Sequence, residues 1–271
     1  MMRFLILISY FFLTLYLHLS GKLNQYLNLH YSYLTYITMF LSLLLAIVQA
    51  YICFKRLKEH SHLHKFSAKL ASFVLLSLPL LVGFTFPTVE LDSQTVSAKG
   101  YYFPLSEGTD KAIQASEGTS SQYLKPDTSR FYSHTAYVDT VRKSADKYLA
   151  QSSIVITDEN YLEVMEAIYD YPNEFEGKEI EFTGFVYNDP NHAKSQFVFR
   201  FGIMHCIADS GVFGLLTTGN TNHYENNTWV KVKGKISNHY HKELNQVLPT
   251  IEVQSFVKVD KPENPYVYKE F

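Results

Sequence analysis

The residues Arg200-Phe201-Gly202-Ile203-Met204-His205-Cys206-Ile207-Ala208-Asp209 hold the densest chemistry in the chain, with an imidazole, a thiol and a carboxylate in the last half of the run. Histidine and cysteine ligate soft and borderline metals such as zinc or copper at neutral pH, and a nearby carboxylate can ligate or orient them. Cys206 is one of two cysteines; the other, Cys53, lies far away in an apolar stretch, so neither a disulfide framework nor a Cys53–Cys206 pair is expected. The competing reading makes Cys206 a small buried hydrophobe and Asp209 the first residue of an Asp209-Ser210-Gly211 turn. Adjacent residues on a strand point to opposite faces, so His205 and Cys206 share a site only where a bulge or turn intervenes.

Arg200 precedes this run on the same predicted strand and suits either an anionic ligand or a carboxylate partner such as Glu181. Ligand-binding candidates are therefore Arg200 and Asp209, and metal candidates His205 and Cys206. His60, His62 and His64 alternate in a basic loop, where an extended backbone aligns all three as metal ligands; contact with anionic lipid is the alternative. His239-Tyr240-His241 reads as a turn with solvated histidines, or as an i, i+2 ligand pair. Asn226-Asn227-Thr228 matches a glycosylation acceptor, a pattern too frequent to carry weight. The sequence contains no phosphate-binding loop, nucleophile elbow or His-Glu-x-x-His motif, and nothing pairs Ser210 with His205 as nucleophile and base. No enzymatic activity is expected, with an envelope activity that uses Cys206 as nucleophile as the alternative.

The elements that position these residues fall into two unlike parts. The 271-residue chain carries a net charge of −2, which gives no reason to expect a nucleic-acid partner, and 15% aromatic residues, which suit interfacial belts and β-structure. Residues 1–87 read as a transmembrane region in the lipid bilayer, with spans at about 4–19, 34–54 and 70–86. The first span also fits a signal peptide, but only Leu19-Ser20-Gly21 follows it, without an Ala-x-Ala-like cleavage site. Pro79 interrupts the third, which neighbouring helices can accommodate. The second connection is rich in cations from Lys55 to Lys69, whereas the first has only Lys22. The positive-inside rule then places the amino terminus and the second connection on the cytoplasmic side of a plasma membrane and everything after Pro87 on the extracytoplasmic side.

Residues 88–133, rich in Ser, Gly and Pro, read as a stalk or linker, and residues 134–271 as an extracytoplasmic α+β domain. Tyr137, Val138, Val141, Ala145, Tyr148 and Leu149 recur at helical spacing. A second helix is expected from an Asp158 cap to a stop at Pro172, with Leu162, Met165, Ile168 and Tyr169 on its buried face. After Gly177 the period becomes two. Strands are predicted from Glu179, over 196–206, 212–217 and 228–237, and from Pro249. Gly184 and Gly234 inside strands suit tight bends, so a small five-stranded OB-like β-barrel is expected over about 177–260, with an open five-stranded sheet covered by a helix as the alternative.

The blocks Gly177-Lys178…Gly184-Phe185-Val186, Arg200-Phe201…Cys206-Ile207-Ala208-Asp209, Trp229-Val230-Lys231-Val232-Lys233-Gly234 and Pro262…Pro265-Tyr266 resemble the YcgQ-type bacterial membrane proteins. Gly21-Lys22-Leu23 after the first span and the basic His loop are similar in layout. The resemblance covers most of the chain except the stalk and the first soluble helix. It implies an accessory subunit acting with a larger polytopic permease subunit. Where that family carries two adjacent cysteines, this chain has His205-Cys206. A role needing two sulfurs is therefore not expected, while a metal role survives the exchange. The alternative function is a membrane-anchored OB-like module that binds an envelope protein or glycan without taking part in transport.

Overall fold

The computed structural model describes residues 2–55, 57, 65–85, 90–100, 134–189, 196–219, 222–241 and 246–269. The chain divides into two compact units, Met1–Glu90 and Leu91–Phe271.

The first unit contains three helices long and apolar enough to cross a membrane: α1 (Met2–Leu19), α2 (Ser32–Phe54) and α3 (Phe66–Thr85). Helix α2 is preceded by a short 3-10 turn from Leu29, so its candidate span reaches 26 residues, enough to tilt across a hydrocarbon core of about 30 Å. Helix α3 runs through Pro79 without ending. Helix α1 contacts both of the others. The Tyr10 hydroxyl donates to the Leu76 carbonyl at 2.9 Å, and a Cβ at Gly83 would lie 3.1 Å from a Leu13 methyl, so the glycine gives Leu13 room to pack closely against α3. Most large apolar side chains of the three helices are exposed, as expected of surfaces that face lipid.

The second unit begins with α4 (Ser93–Lys99), which occupies the front of the stretch expected to be a stalk. Asp92 caps it, accepting from the backbone N–H groups of Gln94 and Thr95, while Val96 is buried in the core. The Leu91 N–H donates to the Tyr266 hydroxyl and the Ser93 N–H to Asn227 Oδ1, so the chain is already bound to the domain at this point. The remainder of the expected stalk, 101–133, lies outside the described residues.

Helix α5 (His134–Leu149) buries Val141, Ala145 and Tyr148, a stripe at i, i+4 and i+7. Helix α6 (Tyr161–Asp170) is buried almost all round, and α7 (Pro172–Phe175) follows with its proline at the first position, where a missing N–H costs nothing. The buried Glu166 of α6 accepts from Lys269 near the end of the chain, which answers the requirement that a buried carboxylate be paired.

The sheet has seven strands: β1 (Ser153–Val155), β2 (Glu179–Asn188), β3 (Gln196–Ile203), β4 (Gly211–Thr218), β5 (Trp229–His241), β6 (Gln246–Lys258) and β7 (Tyr266–Tyr268), in the order β1-β2-β5-β6-β4-β3-β7. Strand β2 also pairs with β3, from Phe185↔Phe199 to Asn188↔Gln196, after pairing with β5 from Glu179↔Lys235 to Phe185↔Trp229. Strands β4 and β6 meet in parallel over Leu216–Thr218. The pairings therefore run from β2 through β3, β4, β6 and β5 and return to β2. Gly234 sits at a register shift in the β5–β6 ladder, and a Cβ there would collide with the Glu252 carbonyl; a Cβ at Gly184 would lie 2.7 Å from the Phe199 carbonyl.

On the edge of β4 away from β3, where no strand lies beside Gly214, α6 takes that place. The Tyr169 hydroxyl donates to the Gly214 carbonyl at 2.7 Å and accepts from the Gly214 N–H at 2.8 Å, while Tyr161 donates to the Phe213 carbonyl at 3.2 Å. Buried backbone groups must be paired, and a helix without free N–H groups can meet that need only through side chains. Burial also raises the Tyr169 phenol above its ordinary range, so the hydroxyl stays protonated and able to donate.

Several expected boundaries shift. Strand β5 extends to His241, and the Tyr240↔Val247 pair places His239-Tyr240-His241 on a long hairpin arm rather than in a turn. Helix α6 starts three residues after Asp158, because that carboxylate is engaged elsewhere. The strand expected over 196–206 ends at Ile203. Strands β1 and β7, three residues each, are too short to leave a periodic pattern.

Candidate functional site

Every residue of β3 is buried, Arg200 included, at 2% exposed. The aromatic planes of Tyr161 and Trp229 flank its guanidinium at 5.7 and 5.6 Å, and its donors are taken by the chain itself. Nη1 donates to Asp158 Oδ1, Nη2 to the carbonyls of Asn264 at 2.9 Å and Tyr266 at 3.4 Å, and Nε to that of Pro265 at 3.5 Å. Arg200 thus ties together the turn before α6, the core strand and the C-terminal segment that leads into β7. Its carboxylate partner is Asp158 and not Glu181, which pairs with Lys231 across the sheet. Burial holds the Tyr161 phenol well above its ordinary range, against the opposing pull of Arg200, and pushes Tyr268 up to about 12.

Beyond Ile203 the chain leaves the sheet. Met204 stays buried, and the next residues close a tight turn around the Asp209 carboxylate. The backbone N–H groups of His205 and Cys206 both donate to it, at 3.1–3.2 Å, and His205 Nδ1 lies 2.8 Å from Oδ2. In return the Asp209 N–H points to the Cys206 sulfur, which closes a capping box on the 3-10 turn Ile207–Asp209. Buried Ser210 completes the turn by donating to the Ile207 carbonyl at 2.8 Å. Asp209 therefore closes the turn instead of opening the next one.

The His205 and Asp209 side chains remain 43% and 31% exposed, Cys206 is half-buried, and its thiol is in no disulfide. A turn does intervene at His205-Cys206, the condition under which neighbouring residues can face one direction. A carboxylate on Nδ1 is also the arrangement that fixes an imidazole with Nε2 as its ligand atom. Among the described residues, however, no group of three or more His, Cys, Asp or Glu is arranged to hold a metal ion. Arg200 and Asp209 do not share a set of partners: the first binds Asp158 and the 264–266 carbonyls, the second its own turn. His60, His62 and His64 lie outside the described residues. Exposed His239 lies 3.7 Å from Glu252, an ion pair when the imidazole is protonated.

Sequence reasoning does not find Asp158 as the partner of Arg200. The two are 42 residues apart and no local pattern links them.

Three apolar helices joined to a sheet-rich domain define a membrane-associated protein of two parts, and the comparisons with known proteins follow the same division. Residues 2–102 match the DUF1980 N-terminal domain and residues 131–269 the DUF1980 C-terminal domain. The chain belongs to the DUF1980 family. A protein of Streptococcus mutans serotype c, named "Putative two-component membrane permease complex subunit", is 54% identical over the full length of both chains. The UPF0703 protein YcgQ of Bacillus subtilis is 36% identical, again over the whole of both. The resemblance read from the sequence is thus confirmed. No solved structure matches the chain.

Proposed function

We propose that this protein is the accessory subunit of a two-part membrane permease, in which the apolar helices associate with a larger polytopic subunit and the C-terminal domain captures or gates the ligand. The name of the Streptococcus relative supports the subunit role. In this reading the C-terminal domain is an OB-like barrel on the extracytoplasmic face. Support for the barrel comes from pairings that return to β2 through a single parallel contact between β4 and β6; the cations between Lys55 and Lys69 support the orientation.

The ligand is a divalent metal such as zinc or copper, met by His205 and Cys206 with Asp209 orienting the imidazole. The observation that carries this is the 2.8 Å contact of His205 Nδ1 with Asp209 beside a half-buried thiol. Since the described residues offer no complete set of ligands, the remaining positions fall to the partner subunit or the cargo's own ligands, as suits a site that must release what it holds. The protein itself has no catalytic role in this reading.

Purifying the full chain with its membrane partners, followed by mass spectrometry and metal analysis, tests both halves. The expected result is one polytopic partner and zinc or copper that is lost in Cys206→Ser and His205→Ala. Recovery of an envelope glycan or another envelope protein without a membrane partner would overturn the permease reading. Metal content unchanged in both variants would overturn the metal site.

A further inference from the structure

One face of the sheet in the second unit is open across β1, β2, β5 and β6. Residues opposite one another in a ladder share a face, so the register sets Val155, Glu181, Lys233 and Ser255 in one row. Glu179 and Lys235 stand in the row on one side of it, Lys231 and Val257 in the row on the other. All of these residues are exposed or half-buried, and Val155 and Val257 are more than half exposed. The core lies against the opposite face, under Ile180, Phe182 and Val232.

The charges on this face are sorted by strand. Glu179 and Glu181 make an acidic column on β2, and Lys231, Lys233 and Lys235 a basic column on β5. Within the chain the columns are already joined, Glu181 to Lys231 and Glu179 to Lys233 at 2.8 Å. These pairs can stay intact, because a carboxylate has about four lone-pair sites and an ammonium three donors, which leaves capacity for a second partner above the sheet. A polyanion would be repelled by the acidic column and a cation by the basic one. The surface that matches both columns at once is this same face turned over. A half-turn about the strand direction, on an axis between β2 and β5, lays the acidic column over the basic column of a second copy and β1 over β6. A half-turn about an axis across the strands would stack Glu on Glu and Lys on Lys, so the charges allow one orientation only. In that orientation Val155 and the strand that carries Val257 are withdrawn from water together.

We infer that this face binds a second copy of the chain in a two-fold dimer, β2 on β5 and β1 on β6. Strands about 4.8 Å apart and rows about 7 Å apart give a contact of roughly 400 Å² per copy, half the roughly 800 Å² of a standard interface. The dimer is therefore weak and reversible. It is favoured where two copies share one bilayer, which raises their effective concentration, and it is opened by salt. It depends neither on the His205 turn nor on the permease reading.

Thiol crosslinking of the full chain in liposomes tests the inference. Cys53→Ala and Cys206→Ser remove both native thiols, after which Val155→Cys is placed in one version and Ser255→Cys in another. Facing sheets lie about 10 Å apart, so a short bifunctional thiol reagent should join Val155→Cys on one copy to Ser255→Cys on the other. The mixed versions should give about threefold or more crosslinked dimer than either version alone, and the excess should disappear at high salt. Glu179→Lys with Glu181→Lys makes the face wholly basic, and Lys231→Glu with Lys233→Glu makes it largely acidic. Either pair carried by both versions should abolish the excess, and mixing basic-face with acidic-face copies should restore it. The unfolding midpoint of Trp229 fluorescence reports whether these variants keep the fold. Equal yields from mixed and single versions overturn the inference, as does an excess that high salt leaves unchanged. That comparison needs no charge-reversed variant, so it decides the matter even where those fail to fold. An excess that persists between two folded basic-face versions overturns it as well.

Discussion

Arg200 and the His205–Asp209 turn are five residues apart in the chain, and both are built on a carboxylate. Around Arg200 the cation is inside: the guanidinium is 2% exposed, two aromatic planes flank it, and its other donors end on backbone carbonyls, while its partner Asp158 stands exposed at the rim. Around Asp209 the ion pair is at the surface, and the carboxylate holds a turn from which an imidazole and a thiol protrude. A buried, internally satisfied charge specifies how elements meet, whereas a half-exposed group held from one side keeps a face for something outside. The strand end at Ile203 separates the two regimes, because beyond it no continuous ladder dictates which way side chains point.

The largest test of this contrast is Arg200→Ala. It leaves the 264–266 carbonyls without their donor and removes a large buried side chain; exposed Asp158 can return to water, so the cost comes from the cavity and the unmatched carbonyls, about 2–5 kcal/mol. Trp229, the sole tryptophan and a neighbour of the guanidinium, should report the loss as a lower midpoint in chemical unfolding followed by fluorescence. A drop below about 1 kcal/mol would place Arg200 among ordinary surface pairs and remove half of the contrast.

Tyr169→Phe comes next. It deletes one hydroxyl but strands both polar groups of Gly214, so a loss of about 1–3 kcal/mol is expected in the same unfolding assay. Cys206→Ser and His205→Ala stand on the other side of the comparison. Each should change stability by about 0.5 kcal/mol or less, the ordinary range for surface substitutions, while abolishing the metal retained by the full chain. A stability loss as large as that of Arg200→Ala, with metal retention intact, would make the turn purely structural.

The smallest expected effect concerns pH. Burial tends to raise the Glu163 carboxyl, but hydrogen bonds from Tyr148 at 2.5 Å, Ser144 at 2.8 Å and Lys147 outweigh it and hold the group below the usual carboxylate range. A folded-state pKa below the unfolded one contributes stability that is fully present above the unfolded value and lost as pH falls through the folded one. Glu163→Gln should therefore lower stability slightly at neutral pH and flatten the acid limb of the Trp229 unfolding profile. The side chain is more than a third exposed, so screening keeps the effect to a fraction of a kcal/mol. An acid limb unchanged in the variant would assign acid sensitivity elsewhere.

Much of the framework is legible in the residues alone. The three apolar helices stand out because lipid imposes one simple demand, about twenty apolar residues at a stretch, that needs no knowledge of neighbours. The alternation in Glu179–Thr183 and Val230–Ile236 is legible for a similar reason: one face is buried and the other more exposed. Strand β3 is buried at every position, so it shows as an apolar run with Arg200 as an apparent anomaly. The three-residue strands β1 and β7 carry no pattern at all. Asp158 reads as a helix cap because local propensity makes Asp a good cap wherever it precedes an apolar helix, yet its carboxylate goes to Arg200. The arm ending in His239-Tyr240-His241 reads as a turn because polar residues at a hairpin end look the same whether or not they are paired.

By itself, then, the sequence determined the division into apolar helices and a β-rich domain, and it located the Arg200–Asp209 run, because these depend on composition and short-range periodicity. It left undecided which of that run's charged groups is buried and which is open. Only the tertiary structure decided this, by bringing Asp158 and the 264–266 carbonyls to Arg200 from distant parts of the chain and folding Asp209 back onto His205 and Cys206. The physical reason is that desolvation depends on everything packed around a group. A partner 42 or more residues away contributes as fully to that packing as an adjacent one, and leaves no mark on local sequence.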